Sequence, residues 1–178
     1  MDGIAKGCGV EEGQKIIYLG LGSNLGRRRA NIKSAIGLLS DEPGIYLCRT
    51  SSHYLTEPVG DVEQPWCVNM VAEISTSLTP QKFLSLCKSI EERLGRRSTV
   101  RLGPRIIDID LLLYGTDVIE HPGLQIPHPE LKRRRFVIVP LLELDPDLRH
   151  PVLNLPLCSC LEQGQAKKKV IRLAQRRS

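Results

Sequence analysis

Arg101-Leu-Gly-Pro-Arg105-Ile-Ile-Asp108-Ile-Asp110-Leu-Leu-Leu-Tyr114 reads as a turn that feeds a β-strand. Gly103-Pro104 punctuates the chain, and the apolar run after it is too short and too regular for a helix. Side chains on a strand alternate faces. Asp108 and Asp110 therefore share one face, and Ile107, Ile109, Leu111 and Leu113 share the other. One face is made to be buried while the other carries two like charges. Two carboxylates this close repel unless a cation sits between them or their pKa values split. Arg101 and Arg105 bring positive charge to the same spot. An acid pair beside arginines suits a magnesium-held phosphate, with oxygen ligands for the ion and guanidinium forks for phosphoryl oxygens. For Asp-x-Asp by itself, the competing reading is a surface ion-pair cluster on an exposed strand. The Gly-Pro turn and the Arg-Ile-Ile spacer favour a site.

Upstream of this stretch, Thr79-Pro80 opens the clearest helix, with Thr79 as cap and Pro80 in the first turn. Phe83, Leu86, Cys87, Ile90 and Leu94 form its apolar stripe, and Gly95 stops it. Arg96, Arg97 and Arg101 follow as a basic loop. Before the helix, Cys67 to Ile74 alternates: Val68, Met70, Ala72 and Ile74 on one face, Asn69, Val71 and Glu73 on the other. Asn69 is either a polar residue on a half-exposed strand or an amide that reads a ligand edge. Thr56 to Trp66 is a loop punctuated by Pro58, Gly60 and Pro65. Ile45 to Tyr54 and Ile16 to Leu21 read as strands. Between the latter and an amphipathic helix on Ile32, Ala35, Ile36 and Leu39, the chain turns through Gly22-Ser-Asn-Leu-Gly26. Ser23 or Asn24 is the expected cap. The glycines Gly20, Gly22 and Gly26 match neither the P-loop nor the dinucleotide fingerprint, so a tight strand-to-helix turn is the favoured reading, with close approach of a small ligand to that backbone as the alternative.

Downstream, Val118-Ile119 and Leu124 to Ile126 suggest a small hairpin, followed by Pro127-His128-Pro129. His128 taken alone is more often structural than catalytic. Phe136 to Leu144 is continuously apolar, and Pro140 argues against a central strand, so a short buried helix is expected. Leu153 to Leu161 holds a last short helix. The order strand, helix, strand, strand, helix, strand predicts an α+β two-layer sandwich with a mostly antiparallel sheet.

The 178 residues fit one domain, with 41% hydrophobic and 25% charged residues. No apolar run is long enough to span a bilayer and no secretory signal is visible, so a cytoplasmic protein without membrane contact is expected. The six cysteines, at 8, 48, 67, 87, 158 and 160, include no Cys-x-x-Cys pair and are read as reduced thiols. The net charge of +5 is carried by the end of the chain, where residues 167 to 178 hold six basic side chains and no acid. The expected division is a disordered leader at 1–14, a domain at 15–164 and a basic tail at 165–178. The remainder shows no basic footprint, and no specific nucleic-acid role is assigned.

Residues Arg101 to Leu112 resemble the diagnostic motif of the 6-hydroxymethyl-7,8-dihydropterin pyrophosphokinases. Supporting segments come in the right order: Leu21-Gly-Ser-Asn-Leu25, Thr56-Glu-Pro-Val-Gly60, Gln64-Pro-Trp-Cys-Val-Asn69, the helix with Glu91 that ends at Gly95-Arg96, Pro127-His-Pro129 and Arg134-Arg-Phe-Val137. The resemblance covers roughly 15–162. It implies a ferredoxin-like fold and a monomer whose partners are small molecules, ATP and a reduced pterin. ATP gives its terminal pyrophosphate to the pterin hydroxymethyl group in folate biosynthesis. It further implies that Asp108 and Asp110 hold two Mg²⁺ ions, Asp108 also lying at the pterin. Arg96, Arg101, Arg105, His128 and Arg134 contact phosphates or stabilise charge during transfer. Glu91 and Leu111 belong to the nucleotide region. Thr56, Val59, Cys67, Asn69 and Phe136 line the pterin pocket, with Phe136 stacked on the ring.

Three departures accompany the resemblance. Cys67 stands where the family commonly has an aromatic, Leu102 replaces a tryptophan of some members, and the loop from Arg96 to Arg101 is one residue shorter than in some. Two rival classes remain at this point: a ferredoxin-like RNA-binding module, and a metal-dependent hydrolase on Asp108 and Asp110. The low aromatic content of 4% counts against the former.

Overall fold

The structure is a computed structural model that describes residues 13–58, 64–96, 103–163 and 168–174. Its elements are β1 (Lys15–Ser23), α1 (Arg28–Ser40), β2 (Ile45–Thr50), β3 (Tyr54–Thr56), β4 (Cys67–Thr76), α2 (Pro80–Arg93), β5 (Asp108–Tyr114), β6 (Ile119–His121), β7 (Leu124–Ile126), α3 (Arg135–Leu144), α4 (Cys160–Gln163) and β8 (Val170–Arg172). The strands that alternate in sequence pair into one sheet in the order β5-β1-β4-β3-β8, with β2 also on β4. Every pairing is antiparallel. This is the ferredoxin-like α+β arrangement. β6 and β7 form the separate hairpin.

Both faces of the sheet are covered. On one, Ile32, Ala35 and Leu39 of α1 and Phe83, Cys87 and Ile90 of α2 pack on Ile17, Leu19, Leu21, Met70, Ala72, Ile74, Ile109 and Leu111. On the other, Val137, Ile138, Leu141 and Leu144 of α3 pack on Tyr18, Val71, Leu112 and Leu113. The α3 layer thus adds to the two-layer sandwich. Pro140 lies inside α3, buried, which is why the segment is no strand.

Four details differ from the sequence reading, each for a long-range reason. Tyr18 pairs with Leu113 but Leu19 with Leu111, so the ladder slips at Leu112. This bulge turns Leu113 away from Ile107, Ile109 and Leu111 and brings Tyr114 round to them. The strand expected at Ile45 to Tyr54 is broken at residues 51–53, where Ser51 N–H bonds Val71 O and Ser51 Oγ accepts from Val71 N–H. Neither Ser23 nor Asn24 caps α1; its N-cap is Arg27, without a side-chain bond. Lastly, part of the expected basic tail is a strand. β8 pairs with β3, Tyr54 opposite Arg172 and Thr56 opposite Val170.

Among the described residues Cys67, Cys87, Cys158 and Cys160 are free thiols, whereas Cys48 is disulfide-bonded, contrary to the reading of all six as thiols. Among the described residues no helix is long and apolar enough to cross a membrane.

Candidate active site

The α3 face of β1 is where the sheet lacks side chains. β1 is central, and its odd positions Ile17, Leu19 and Leu21 are in the core under α1 and α2. Its even positions face α3, and two of them are Gly20 and Gly22. Gly20 pairs with Asp110, and Gly22 lies between Asp108 on one side and Asn69 on the other. A cavity of about 310 Å³ opens over these glycines, lined also by Thr56, Cys67, Arg105, Arg134 and Phe136. A Cβ on Gly22 would stand 2.6 Å from Asn69 Oδ1, so the glycine is what lets the amide lie there. The sequence favours a turn for these glycines, and the structure bears out the alternative, a backbone that a small ligand can approach closely. Their period of two, matching Asp108-x-Asp110 across the ladder, was the signal that could have revealed them.

Both carboxylates point to this face, as the alternation predicts, and both meet guanidinium groups. Arg105 Nη1 donates to Asp108 Oδ1 and Oδ2, each at 2.9 Å, and Arg96 Nη1 lies 2.9 Å from Asp108 Oδ1. Arg134 Nη1 lies 3.2 Å from Asp110 Oδ2. Burial raises the Asp110 carboxyl above its ordinary range, and the Asp108 charge adds to this; His128, Arg134 and Arg105 act against it. Burial lowers His128, which Asp110 opposes. The two groups hold each other's charge in a site that disfavours either alone.

The basic residues arrive from three separate segments. Arg96 follows α2, which Thr79 caps through Lys82 N–H and which ends with Gly95 at φ +89°. Arg134 is the N-cap of α3, and its guanidinium carbon lies 5.9 Å from the Phe136 ring centroid. Arg105 is held by Asn24: Arg105 N–H donates to Asn24 Oδ1 at 2.6 Å, and Asn24 N–H to Arg105 O at 3.1 Å. Asn24 Nδ2 also donates to Gln64 Oε1 at 3.1 Å. The residue expected as a helix cap is instead a clasp on the loop before β5.

Glu91 lies behind the carboxylates. It is 5% exposed, accepts from Ile109 N–H at 2.7 Å and pairs with Arg96. Burial pushes its carboxyl up, against the pull of the Ile109 N–H and Arg96. It ties α2 to β5 and steadies Arg96, lining neither cavity.

A second cavity, about 580 Å³, lies on the other side of Asp110, lined by Leu84, Leu111, His128, Pro129 and the β6–β7 hairpin. His128 N–H donates to Leu112 O at 2.9 Å, and His128 Nδ1 accepts from Glu130 N–H at 3.1 Å. Asp110 lines both cavities.

In the first cavity Asn69 Nδ2 donates to Thr56 Oγ1 at 2.6 Å. Phe136 and Cys67 are there as expected, and burial raises the Cys67 thiol while Arg28 acts against it. Gln64 and Asn24 line it too, unforeseen from sequence. Arg101 and Val59 lie outside the described residues, as do Leu102 and the Arg97-Ser98 positions.

No cluster of three or more metal-ligating side chains exists among the described residues. The donor set is two carboxylates. That fits Mg²⁺, which commonly takes one or two protein carboxylates and completes its shell with substrate phosphates and water.

The sequence profile of 7,8-dihydro-6-hydroxymethylpterin-pyrophosphokinase (HPPK) matches residues 18–146. The "Folic acid synthesis protein fol1" of Schizosaccharomyces pombe is 42% identical over 149 residues, 84% of this chain and 20% of that protein. The "2-amino-4-hydroxy-6-hydroxymethyldihydropteridine pyrophosphokinase" of Methylorubrum extorquens is 45% identical over 131 residues, 74% of this chain and 83% of that protein. The crystal structure of Plasmodium falciparum HPPK-DHPS has the same fold, with a TM-score of 0.67 and 17% identity over 86% of this chain and 46% of that one. The chain thus spans a fifth of the fungal protein and under half of the Plasmodium chain, but most of the bacterial one.

Proposed function

The chain belongs to the 7,8-dihydro-6-hydroxymethylpterin-pyrophosphokinase family, and we propose that it carries out pyrophosphate transfer at Asp110, where its two cavities meet. ATP is the co-substrate. Its terminal pyrophosphate passes to the hydroxymethyl group of 6-hydroxymethyl-7,8-dihydropterin, leaving AMP and a pterin diphosphate for folate synthesis. The observation that carries this is the shared wall: Asp110 lines the 310 Å³ cavity and the 580 Å³ cavity alike. A transfer between two bound molecules needs such a junction.

The pterin takes the smaller cavity. A flat heterocycle suits a stack on Phe136 and an edge read by the Asn69 amide. Thr56 accepts one Asn69 N–H, which fixes the amide and leaves Oδ1 toward the cavity over Gly22. Cys67 completes this wall, and the family resemblance adds Val59 to the pterin contacts. ATP takes the larger cavity, its base against Leu111 and its phosphates toward His128 and Arg134.

Asp108 and Asp110 are the residues that would hold Mg²⁺, in two ions, which when bound neutralise the triphosphate. The chain's own work is positioning and charge. Arg96, Arg105 and Arg134, with Arg101, bind the oxygens on which charge develops. Arg96 and Arg105 pair with Asp108, and Arg134 with Asp110. Binding of cations to Asp108 and Asp110 would free these guanidiniums to turn to phosphate. Glu91 supports Arg96 from behind. The enzyme is proposed to act as a cytoplasmic monomer.

The test is AMP formation by the purified protein with ATP and Mg²⁺, measured with and without 6-hydroxymethyl-7,8-dihydropterin. AMP that depends on the pterin is the expected result. ADP or AMP released equally without it would replace transfer by hydrolysis.

A further inference from the structure

We infer that β8 is a positioning strand for the pterin cavity, with Arg172 as the residue that sets the gap between its two walls; this rests on the pterin assignment above. The family match ends at residue 146, and β8 lies beyond it.

One wall is β3. It is only three residues long, and its last residue, Thr56, holds the Asn69 amide. One edge of β3 pairs with β4 and the other with β8. Without β8 that outer edge would be bare, and a short edge strand is weakly held. The contacts continue along the cavity rim. Glu57 N–H donates to Lys169 O at 3.3 Å, Lys169 N–H donates to Glu57 Oε2 at 3.2 Å, and the Lys168 ammonium donates to Pro58 O. Glu57 itself lines the cavity. At the other end Leu173 N–H donates to His53 O at 2.8 Å.

The other wall is α3, which carries Phe136. Glu143 lies seven residues further on, two turns along the same face. Its carboxylate gathers donors from β3, from the residues just before it and from β8: Tyr54 OH at 2.7 Å, Ser52 Oγ at 2.8 Å, Ser52 N–H at 2.9 Å and Arg172 Nη2 at 2.9 Å. Arg172 Nε also donates to Ser52 Oγ at 2.9 Å. Arg172 therefore bridges the Phe136 helix and the Thr56 strand. A stack on one side and an amide on the other must be spaced to one ring, so a small change in the gap matters. None of these contacts reaches a residue lining the nucleotide cavity. The effect is confined to one substrate.

The experiment uses the full chain carrying Lys169→Pro and Arg172→Ala, with Arg172→Ala alone as the milder variant and Arg172→Lys as the conservative one. Amide hydrogen exchange at Leu55 and Glu57 reads the release of β3, and KM is measured for each substrate. The expected result is faster exchange and a pterin KM raised about tenfold with ATP KM within about twofold. Recovery in Arg172→Lys is also expected. An unchanged pterin KM despite faster exchange overturns the inference, as does an equal rise for ATP or exchange that stays slow. Should the double variant not fold, Arg172→Ala is read by the same criteria. Asn69→Ala separates the two claims. If it leaves pterin KM unchanged, the pocket assignment falls; if it raises pterin KM while the β8 variants do not, only the role of β8 falls.

Discussion

The two faces of β5 are built from opposite materials. Toward α1 and α2 it presents Ile109 and Leu111, both at most 5% exposed, in a cluster with Phe83, Cys87 and Ile90. Toward α3 its first half presents Asp108 and Asp110, each paired with arginine at the 310 Å³ cavity, while Leu112 and Leu113 further along pack on the helix. Neighbouring β1 repeats the contrast, with Leu19 and Leu21 on the first face and Gly20 and Gly22 on the second. Close packing makes the first face stable and, away from the second cavity that Leu111 also lines, chemically inert. The second gives up packing for a floor of bare backbone and two charges that repel. The lesson is a division of labour within single strands, residue by residue. Substitutions at Phe83 and its closely packed neighbours should change stability alone, and those at Gly20, Gly22, Asp108 and Asp110 activity alone.

The sharpest way to break that division is Phe83→Ala. Phe83 is fully buried in the α1 and α2 face, and losing such a ring costs about 3–5 kcal/mol. Urea unfolding should register that loss, while kcat/KM per folded molecule stays near wild type. A comparable fall in activity of the folded fraction would mean the faces are coupled.

A smaller effect is expected from Gly22→Ala on the other face. The new Cβ would meet Asn69 Oδ1 at 2.6 Å, so the amide must turn or shift. Pterin KM should rise about tenfold, the equivalent of ~1.4 kcal/mol, with ATP KM and urea midpoint little changed. Loss of stability without a change in pterin KM would make Gly22 a packing residue like its neighbours.

The smallest effect tests the seam between β3 and α3. Burial pulls the Glu143 carboxyl upward, but hydrogen bonds from Tyr54 and Ser52 and the Arg172 charge outweigh it and hold it below its ordinary 4.5. The unfolded chain then takes up the proton first. Glu143 contributes stability above the ordinary value that is lost as pH falls through the lower folded value. Urea unfolding from neutral to acid pH should therefore show a slope that Glu143→Gln flattens. An unchanged slope would remove Glu143 from the seam.

Much of this was legible in the sequence because it is local. The α2 boundaries follow from Thr79, Pro80 and Gly95, and the Asp108 and Asp110 face follows from alternation. The motif residues Arg105, His128, Arg134, Asn69 and Phe136 gather round one site, though they come from separate elements. What was not legible depends on partners distant in sequence. The slip at Leu112 belongs to the pairing with β1, not to the β5 sequence. Gly20 and Gly22 look like turn residues until Asp108, Asp110 and Asn69 stand beside them. Asn24 has the chemistry of a cap, yet Arg105, 81 residues away, claims its side chain. The basic composition around β8 hid Val170-Ile-Arg172, a three-residue strand without alternation enough to be seen.

The central claim is that pyrophosphate moves between two bound molecules at Asp110. The most direct test follows the phosphorus by ³¹P NMR in mixtures of ATP, Mg²⁺ and the reduced pterin, with wild type and Asp110→Ala side by side. The prediction is that AMP and pterin diphosphate rise together in wild type, with no ADP. Transfer in Asp110→Ala should fall to background, because a carboxylate that would hold Mg²⁺ is gone, while its urea midpoint is kept. Full transfer by Asp110→Ala, or ADP as the nucleotide product, would contradict it.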